Sequence, residues 1–277
     1  MHVIINDKLI RRENAVVPAF NRSFRYGDGF FETMKMIDGE IKLSSLHFER
    51  MFSAMQLLMF EKPSYYADDF FSKQIISLAE KNNHTKAARI RLMFYRGDGG
   101  LYDAQNHFPN YILETLPLEN TGDRLNENGL VVDIYPHANK SCDGFSHIKH
   151  NNFLPYTMAA LWAKQNKLND AILLNSNGRI SDATIANIFI VKDGVIKTPA
   201  LAEGCVSGVM RRHLLSFMNY KKITCKESFI TPADLLSADE VFFTNAVYEM
   251  RWVASVGNAS YSNSLCRQIF DGLKKKG

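Results

Sequence analysis

The first third of the chain alternates hydrophobic and polar positions in short runs, which is the pattern of strands joined by tight turns. The stretch "VIINDKLIR" predicts a short hairpin, and "ETMKMIDGEIKLS" predicts a second one that turns at Asp38-Gly39. The period changes to that of a helix from about Ser44. One face of this predicted helix carries apolar side chains, namely Phe48, Met51, Phe52, Met55, Leu58 and Met59.

A second helix is predicted in "ADDFFSKQIISLAEKN", followed by strands in "AARIRLMFYRG" and "NYILETLPL". Hairpin-paired strands combined with helices predict an α+β N-terminal domain over residues 1–117. The polar, turn-rich stretch 118–129, "LENTGDRLNENG", is interpreted as the interdomain connection.

Strands and helices are mixed in residues 130–277, which predicts a larger α/β C-terminal domain. The predicted strands lie in "LVVDIYP", "DAILLNS", "KITCKE" and "EVFFTN", and a hairpin, "ANIFIVKDGVIKTP", turns at Asp193-Gly194. Helices are predicted after Lys149, near "SGVMRRHLLSFM" and from about Ser264. Asn151 or Asn152 is expected to cap the helix after Lys149.

Composition narrows the class of protein. The chain is 46% hydrophobic and 22% charged with a net charge of +4, and no basic patch with interleaved aromatics stands out. No apolar run approaches the ~20 residues of a membrane span, and the N-terminus lacks the pattern of a signal peptide. Four cysteines far apart are expected to be free thiols in a reducing cytosol. We therefore predict a cytoplasmic protein without nucleic-acid partner, membrane span or metal.

Several short stretches carry candidate chemistry, although each alone fits a structural role. In "FRYGDGFFET" two glycines surround Asp28, and a simple loop is the favoured interpretation. Arg50 lies on the helix face opposite the apolar side chains, where it meets either water or a phosphate. Strand alternation in "RIRLMFYRGDGG" places Arg89 and Arg91 on one side of the strand. These two arginines either form a solvated face or attract a carboxylate substrate.

Two further stretches predict backbone anion sites. In "GCVSGVMRR" two glycines lead into a helix whose first N–H groups have no intrahelical partner. In "FFTNAVYE" a strand ends in a turn of small residues. With Lys149 and a carboxylate in "GRISDATIANIF", these features fit a pyridoxal phosphate enzyme, in which a lysine forms a Schiff base, an acid holds the ring nitrogen and an arginine with backbone amides binds the phosphate.

Six stretches together resemble one family, the class IV aminotransferases or fold-type IV pyridoxal phosphate enzymes. Its members include branched-chain and D-amino acid aminotransferases and 4-amino-4-deoxychorismate lyase. The matching stretches occur in family order over nearly the whole chain: "RYGDGFFET", "HFERM", "HIKHNN", "GRISDATIANIFIV", "GCVSGVMRR" and "DEVFFTNAV". The resemblance implies the D-amino acid aminotransferase-like fold, pyridoxal 5'-phosphate as cofactor and a homodimer.

The resemblance also implies roles for individual residues. Lys149 corresponds to the Schiff-base lysine, Asp182 to the acid on the ring nitrogen and Arg50 to the phosphate arginine. The backbone amides implied to bind the phosphate are those of Val209, Met210, Ala246 and Val247. The side chains implied to face the substrate are Phe31 and Arg91, and Arg89 lies beside Arg91 on the same strand face. No residue corresponds to a metal ligand.

This chain departs from the family pattern at two positions. Asp182 stands where the family usually has glutamate, and its side chain is one methylene shorter. Met210 stands where a hydroxyl residue is usual, so that only its backbone N–H is left as a donor. Both differences raise the alternative of a catalytically silent homologue that acts as a binding protein.

The sequence leaves the reaction open between two branches of the family. Glu32 is more typical of the aminotransferases, which act on an amino acid and a 2-oxo acid. "RGDGGLY", "TNAV" and the modest length are more typical of the lyase, which converts aminodeoxychorismate to 4-aminobenzoate and pyruvate. We take amino-group transfer as the first expectation and the lyase reaction as the alternative.

Overall fold

A computed structural model describes residues 1–119 and 122–275 of the chain. The chain forms two compact units, one of Met1–Thr121 with Ile148–Asn152 and the other of Gly122–His147 with Phe153–Gly277. The segment that carries Lys149 therefore belongs to the first unit. The predicted connection, 118–129, stays a prediction, and its residues 120 and 121 lie outside the described residues.

Within its described residues, the first unit contains one six-stranded antiparallel sheet and three α-helices. Its strands are β1 (His2–Ile5), β2 (Lys8–Arg11), β3 (Gly29–Ile37), β4 (Glu40–Ile41), β5 (Ala87–Arg96) and β6 (Pro109–Pro117), in the order β2-β1-β6-β5-β3-β4. Its helices are α1 (Arg22–Tyr26), α2 (Ser44–Leu57) and α3 (Asp68–Lys81).

Both predicted hairpins of this unit are confirmed. Strands β3 and β4 pair across Asp38 and Gly39, whose φ angles of 50° and 78° are those of a primed turn. The apolar face of α2 is buried as predicted, with Phe48, Met51 and Met55 each no more than 1% exposed. The prediction for Met59 was wrong, because α2 ends at Leu57 and the Met59 side chain is 74% exposed.

The second unit contains a nine-stranded sheet and four helices. Its strands are β7 (Leu130–Lys140), β8 (Asp170–Asn175), β9 (Ile180–Ala183), β10 (Asn187–Lys192), β11 (Val195–Pro199), β12 (Cys225–Ser228), β13 (Glu240–Asn245), β14 (Glu249–Val256) and β15 (Ala259–Ser260). The order is β12-β11-β10-β13-β14-β7-β8-β9, and β15 pairs with β14. Its helices are α4 (Leu154–Gln165), α5 (Val209–Tyr220), α6 (Pro232–Leu236) and α7 (Ser264–Lys274).

The predicted hairpin at Asp193-Gly194 is confirmed by the pairing of β10 with β11. The predicted cap of α4 was wrong: the helix begins after Phe153, which offers no side-chain cap, and not after Asn151 or Asn152. Strand β14 was not predicted, because its side chains are buried at about every third position and not alternately. Among the described helices, none is long and apolar enough to cross a membrane.

Candidate active site

The backbone of Lys149 is fixed to the start of β3. The Phe31 N–H donates to the Lys149 carbonyl at 2.9 Å, and the Asn151 N–H donates to the Gly29 carbonyl at 2.9 Å. Gly29 permits this approach, since a Cβ there would lie 2.6 Å from Asn151 Nδ2. The lysine is thus held beside β3 next to an isolated antiparallel bridge between Phe30 and His150, with its side chain partly buried.

The Phe31 ring contacts both Lys149 and Arg91. The Lys149 Nζ lies 4.3 Å and the Arg91 Cζ 4.0 Å from the ring centroid, within the range of cation–π contacts. As predicted, Arg89 and Arg91 share a strand face, but Arg89 is exposed and Arg91 is partly buried. Burial is the main cause that lowers the pKa of Arg91. Arg91 is therefore the better placed of the two arginines to bind a carboxylate.

Arg50 binds the buried carboxylate of Glu32, a partner that neither of the two sequence-based interpretations, water or a phosphate, included. The Arg50 Nε donates to Glu32 Oε1 at 2.7 Å and Nη2 donates to Oε2 at 2.6 Å. His47 Nδ1 lies 2.7 Å from the same Oε2 and donates to it, because an ionised carboxylate only accepts. We call Glu32, His47 and Arg50 the Glu32 pocket. The Arg50 side chain is only 10% exposed, because β3 presents Glu32 to the polar face of α2.

The Glu32 pocket is strongly polarised. Burial alone would raise the pKa of Glu32, but the Arg50 charge and the hydrogen bond from His47 outweigh burial and lower that pKa to about 2. Burial lowers the pKa of His47, against the opposing effect of Glu32. The pocket therefore holds an ionised glutamate beside a charged guanidinium.

The turn around Asp28 is more than a simple loop. It ends α1 at Gly27 and begins β3 at Gly29, and the Asp28 carboxylate accepts from Arg22 Nε at 2.9 Å and from Arg96 Nε at 3.1 Å. Arg22 also donates to the carbonyls of Gly99 and Gly100 at 3.1 and 3.3 Å. Asp28 thus anchors the start of β3 and the segment after β5.

Asp182 lies in the second unit, where four donors surround its buried carboxylate. Oδ2 accepts from Lys140 Nζ at 2.9 Å, from the Tyr156 hydroxyl at 2.7 Å and from the Val206 N–H at 3.0 Å. Oδ1 accepts from Asn187 Nδ2 at 3.1 Å. We call these five residues the Asp182 pocket. Burial and the neighbouring Asp182 charge raise the pKa of Tyr156, so its hydroxyl stays a donor.

At the predicted anion site, the start of α5 packs closely against Asn187. Gly208 precedes Val209, the first residue of the helix, and a Cβ at Gly208 would lie 1.9 Å from Asn187 Oδ1. The glycine therefore lets the helix start approach Asn187. First-turn N–H groups, here those of Val209 and Met210, have no partner within their own helix. Both side chains are buried, at 2% and 3% exposure.

The predicted contribution of Val247 to phosphate binding stays a prediction, and its N–H has a partner in this structure. Its N–H donates to Asn245 Oδ1 at 2.9 Å, and the N–H of Tyr248 donates to the same oxygen at 3.0 Å. An asparagine side chain that bonds the backbone two residues on is a usual way to close a turn. A phosphate contact by the Val247 N–H would therefore require its hydrogen bond to Asn245 Oδ1 to break.

Sequence reasoning missed four residues that contact the predicted ones. His47 and Asn187 lie inside stretches that we had singled out, "HFERM" and "GRISDATIANIF", so their motifs already contained the signal. Lys140 and Tyr156 lie in no recognised stretch. Within the described residues, no group of three or more His, Cys, Asp or Glu side chains is placed to hold a metal ion.

Comparison with known proteins gives a consistent family. The family model described as amino-transferase class IV matches residues 29–256. A putative branched-chain-amino-acid aminotransferase of Methanocaldococcus jannaschii is 26% identical over 279 residues, which cover 100% of this chain and 95% of that protein. An aminodeoxychorismate lyase of Vibrio harveyi is 27% identical and covers 87% of each chain.

The fold is shared with solved structures. A branched-chain aminotransferase from Thermoproteus uzoniensis superposes with a TM-score of 0.87 at 23% identity, over 99% of this chain and 94% of the other. At this identity the likeness shows the fold alone. It confirms the predicted fold class.

Proposed function

The chain belongs to the class IV aminotransferases, a family of pyridoxal-phosphate-dependent enzymes, and on this premise we propose that it transfers an amino group between an amino acid and a 2-oxo acid. Lys149 is the proposed cofactor-bearing lysine. One observation carries this function: the Phe31 ring contacts the Lys149 amine at 4.3 Å and the Arg91 guanidinium at 4.0 Å. The Phe31 ring therefore brings the amine of Lys149 close to a guanidinium that can bind a carboxylate.

The residues present fit pyridoxal phosphate. Asp182 Oδ2 already accepts three hydrogen bonds, whereas Oδ1 accepts one, from Asn187. Since each carboxylate oxygen has about two lone-pair sites, Oδ1 retains capacity for a ring N–H. Arg50 presents a planar guanidinium, a group suited to phosphate, and donates through Nε and Nη2 to Glu32. The shorter acid at Asp182 is therefore compatible with the cofactor.

When bound, the cofactor supplies an electron sink for the carbanion that proton removal leaves on the substrate. The chain's own residues supply the rest. Lys149 moves the substrate proton, Asp182 holds the ring nitrogen protonated, and Arg91 binds the substrate carboxylate. Arg50 and the first N–H groups of α5 bind the phosphate.

The lyase reaction is the second candidate, and two observations favour it. A relative named aminodeoxychorismate lyase covers 87% of this chain. Arg91 lies beside Arg89 on the same face of β5, and this pair suits a substrate with two carboxylates better than a branched-chain amino acid. A silent binding homologue remains the third alternative.

A product assay tests the proposal. The purified protein is offered either aminodeoxychorismate or a panel of D- and L-amino acids with 2-oxoglutarate. We expect a keto acid from at least one amino acid. Formation of 4-aminobenzoate instead assigns the lyase reaction, and a colourless protein without either product assigns the binding homologue.

We also propose a cytoplasmic homodimer. The four free thiols are typical of a reducing compartment. Large apolar side chains are exposed on the first unit, including Phe20 at 78%, Phe24 at 81% and Tyr102 at 89%. Side chains of this kind are typical of an interface. Light scattering during size-exclusion chromatography measures the mass, and a monomer of 31.5 kDa would contradict the dimer.

A further inference from the structure

Lys140 is a buried lysine to which the proposed reaction assigns no role. Its side chain is only 8% exposed, although lysines are rarely buried without a partner. The Nζ donates to Asp182 Oδ2 at 2.9 Å and to the Gly204 carbonyl, and it lies 4.8 Å from the centre of the Tyr156 ring. Two of these three contacts, those with Asp182 and Tyr156, are made within the Asp182 pocket.

The sheet explains why Lys140 meets Asp182. Lys140 pairs with Asn175 on one side of β8, and Asp182 pairs with Leu173 on the other side. Leu173 and Asn175 are two residues apart on β8, so the side chains of Lys140 and Asp182 are on the same face of the sheet. A lysine is long enough to cross the intervening strand to a short aspartate.

The two oxygens of the Asp182 carboxylate accept different numbers of hydrogen bonds. Oδ2 receives Lys140, Tyr156 and Val206, whereas Oδ1 receives Asn187. This arrangement fixes the rotation of the carboxylate and directs its remaining acceptor capacity to Oδ1. The positive charge of Lys140 lies beside Oδ2, at 2.9 Å, and attracts the negative charge of the carboxylate.

We propose that Lys140 is a positioning residue that holds Asp182 as an oriented, ionised carboxylate whose Oδ1 accepts from the ring nitrogen of pyridoxal phosphate. The inference rests on the proposed function, because it assumes that Asp182 is the ring-nitrogen partner. The proton shared by a carboxylate and a pyridine nitrogen lies on the nitrogen when the carboxylate is favoured as an anion. Lys140 Nζ lies 2.9 Å from Oδ2, so its positive charge stabilises negative charge on the carboxylate and favours the shared proton on the ring nitrogen.

The test measures the protonation of the ring nitrogen in the holoenzyme. Wild-type protein and variants are loaded with ¹⁵N-labelled pyridoxal phosphate, and the ¹⁵N chemical shift is recorded at pH 7.5. We expect a protonated nitrogen in the wild type and an unprotonated one in Asp182→Asn. Lys140→Met should move the shift at least halfway to the Asp182→Asn value and lower kcat about 10-fold or more, whereas Lys140→Arg should keep the wild-type shift.

A matched control separates this role from a general loss of charge. Lys164 is an exposed lysine of the same unit, and Lys164→Met should change neither shift nor kcat. A lower melting temperature of Lys140→Met with an unchanged ¹⁵N shift would show a merely structural lysine and overturn the inference. If the methionine variant does not fold, Lys140→Arg decides: a shift like that of Asp182→Asn in this charge-preserving variant overturns the inference.

Failure of the proposed function gives a different result. A wild-type protein that binds none of the labelled cofactor contradicts the function itself. A wild-type protein that binds it with a protonated nitrogen, together with an identical spectrum of Lys140→Met, contradicts only the role of Lys140.

Discussion

The Glu32 pocket and the Asp182 pocket both bury a carboxylate beside a cation, yet they distribute its hydrogen bonds differently. In the first, the Arg50 fork donates to both oxygens of Glu32, at 2.7 and 2.6 Å. In the second, Lys140 donates to one oxygen of Asp182, at 2.9 Å, and that oxygen also receives Tyr156 and Val206. A planar guanidinium engages a carboxylate as a pair, whereas an ammonium acts as a point charge.

We infer from this difference that Glu32 is an anchor, whereas Asp182 is the proposed ligand-binding group. Both carboxylate oxygens of Glu32 accept hydrogen bonds from Arg50 or His47, which fixes the Arg50 side chain on the polar face of α2. Asp182 keeps acceptor capacity on Oδ1 for a ligand. Removing a donor from the Glu32 pocket should therefore destabilise the protein, and altering Asp182 should mainly change the chemistry.

The largest expected effect on stability is that of Arg50→Ala. The substitution leaves Glu32 buried, 1% exposed, without its guanidinium, and an uncompensated buried charge costs about 3–5 kcal/mol. Urea unfolding of the apoprotein measures this loss. Arg11→Ala, at a side chain that is 71% exposed, is the matched control and should change little.

Glu32→Gln added to Arg50→Ala should recover part of the lost stability, because it removes the unpaired charge. Arg50→Ala should also weaken pyridoxal phosphate binding by about 1.5–3 kcal/mol through the lost phosphate contact. An Arg50→Ala protein as stable as the wild type would refute the anchor role.

Asp182→Asn should keep the bound colour and lower kcat about 10²- to 10³-fold, since the amide cannot hold the ring nitrogen as a charged carboxylate does. Single-turnover kinetics measures the proton-removal step. Asp182→Glu shows whether the shorter acid is adapted to Lys140: slower turnover indicates adaptation, and faster turnover indicates a defect. Wild-type turnover of Asp182→Asn would exclude Asp182 as the ring-nitrogen partner.

The Glu32 pocket should also give the protein a distinct acid sensitivity. The pKa of Glu32 is about 2 in the folded protein and about 4.5 as its ordinary value. Its contribution to stability is therefore fully present above about pH 4.5 and is lost as the pH falls toward 2, with a size on the order of 3 kcal/mol. Apoprotein melting between pH 6 and pH 3 should fall less steeply in Glu32→Gln, and parallel curves would contradict the ion pair.

The smallest expected effect concerns the two arginines of β5. Arg91→Ala should raise KM about 10-fold, equal to about 1.4 kcal/mol, with a smaller change in kcat. Arg89→Ala is the matched control, and KM should stay within about twofold because that side chain is exposed. Equal KM changes in both variants would remove Arg91 from the role of carboxylate binder.

Much of the fold was predictable because local patterns and tertiary packing agree. The turns at Asp38 and Asp193 and the buried face of α2 follow from turn residues and helical spacing. Strand β14 was missed, since buried and less buried side chains do not alternate along it. The pairing of Arg50 with Glu32 was missed for a similar reason: helical spacing gives the face of Arg50 but not the strand residue that meets it.

The two pockets also differ in how far they could be predicted. Motifs placed Asp182 and Arg50, and His47 and Asn187 lie in the same motifs. Lys140 reaches Asp182 across β8, a contact between residues 42 positions apart that depends on strand register. No local pattern in "HANKSC" indicates that contact.

Borohydride reduction of the holoenzyme followed by peptide mapping tests the central claim most directly. Two lysines lie beside predicted cofactor residues: Lys149 on the Phe31 ring, 4.3 Å from its centre, and Lys140 at 2.9 Å from Asp182. We predict that the phosphopyridoxyl label is found on Lys149, and that Lys149→Ala is unlabelled, inactive and folded. A label on Lys140 or on any other lysine would contradict the account.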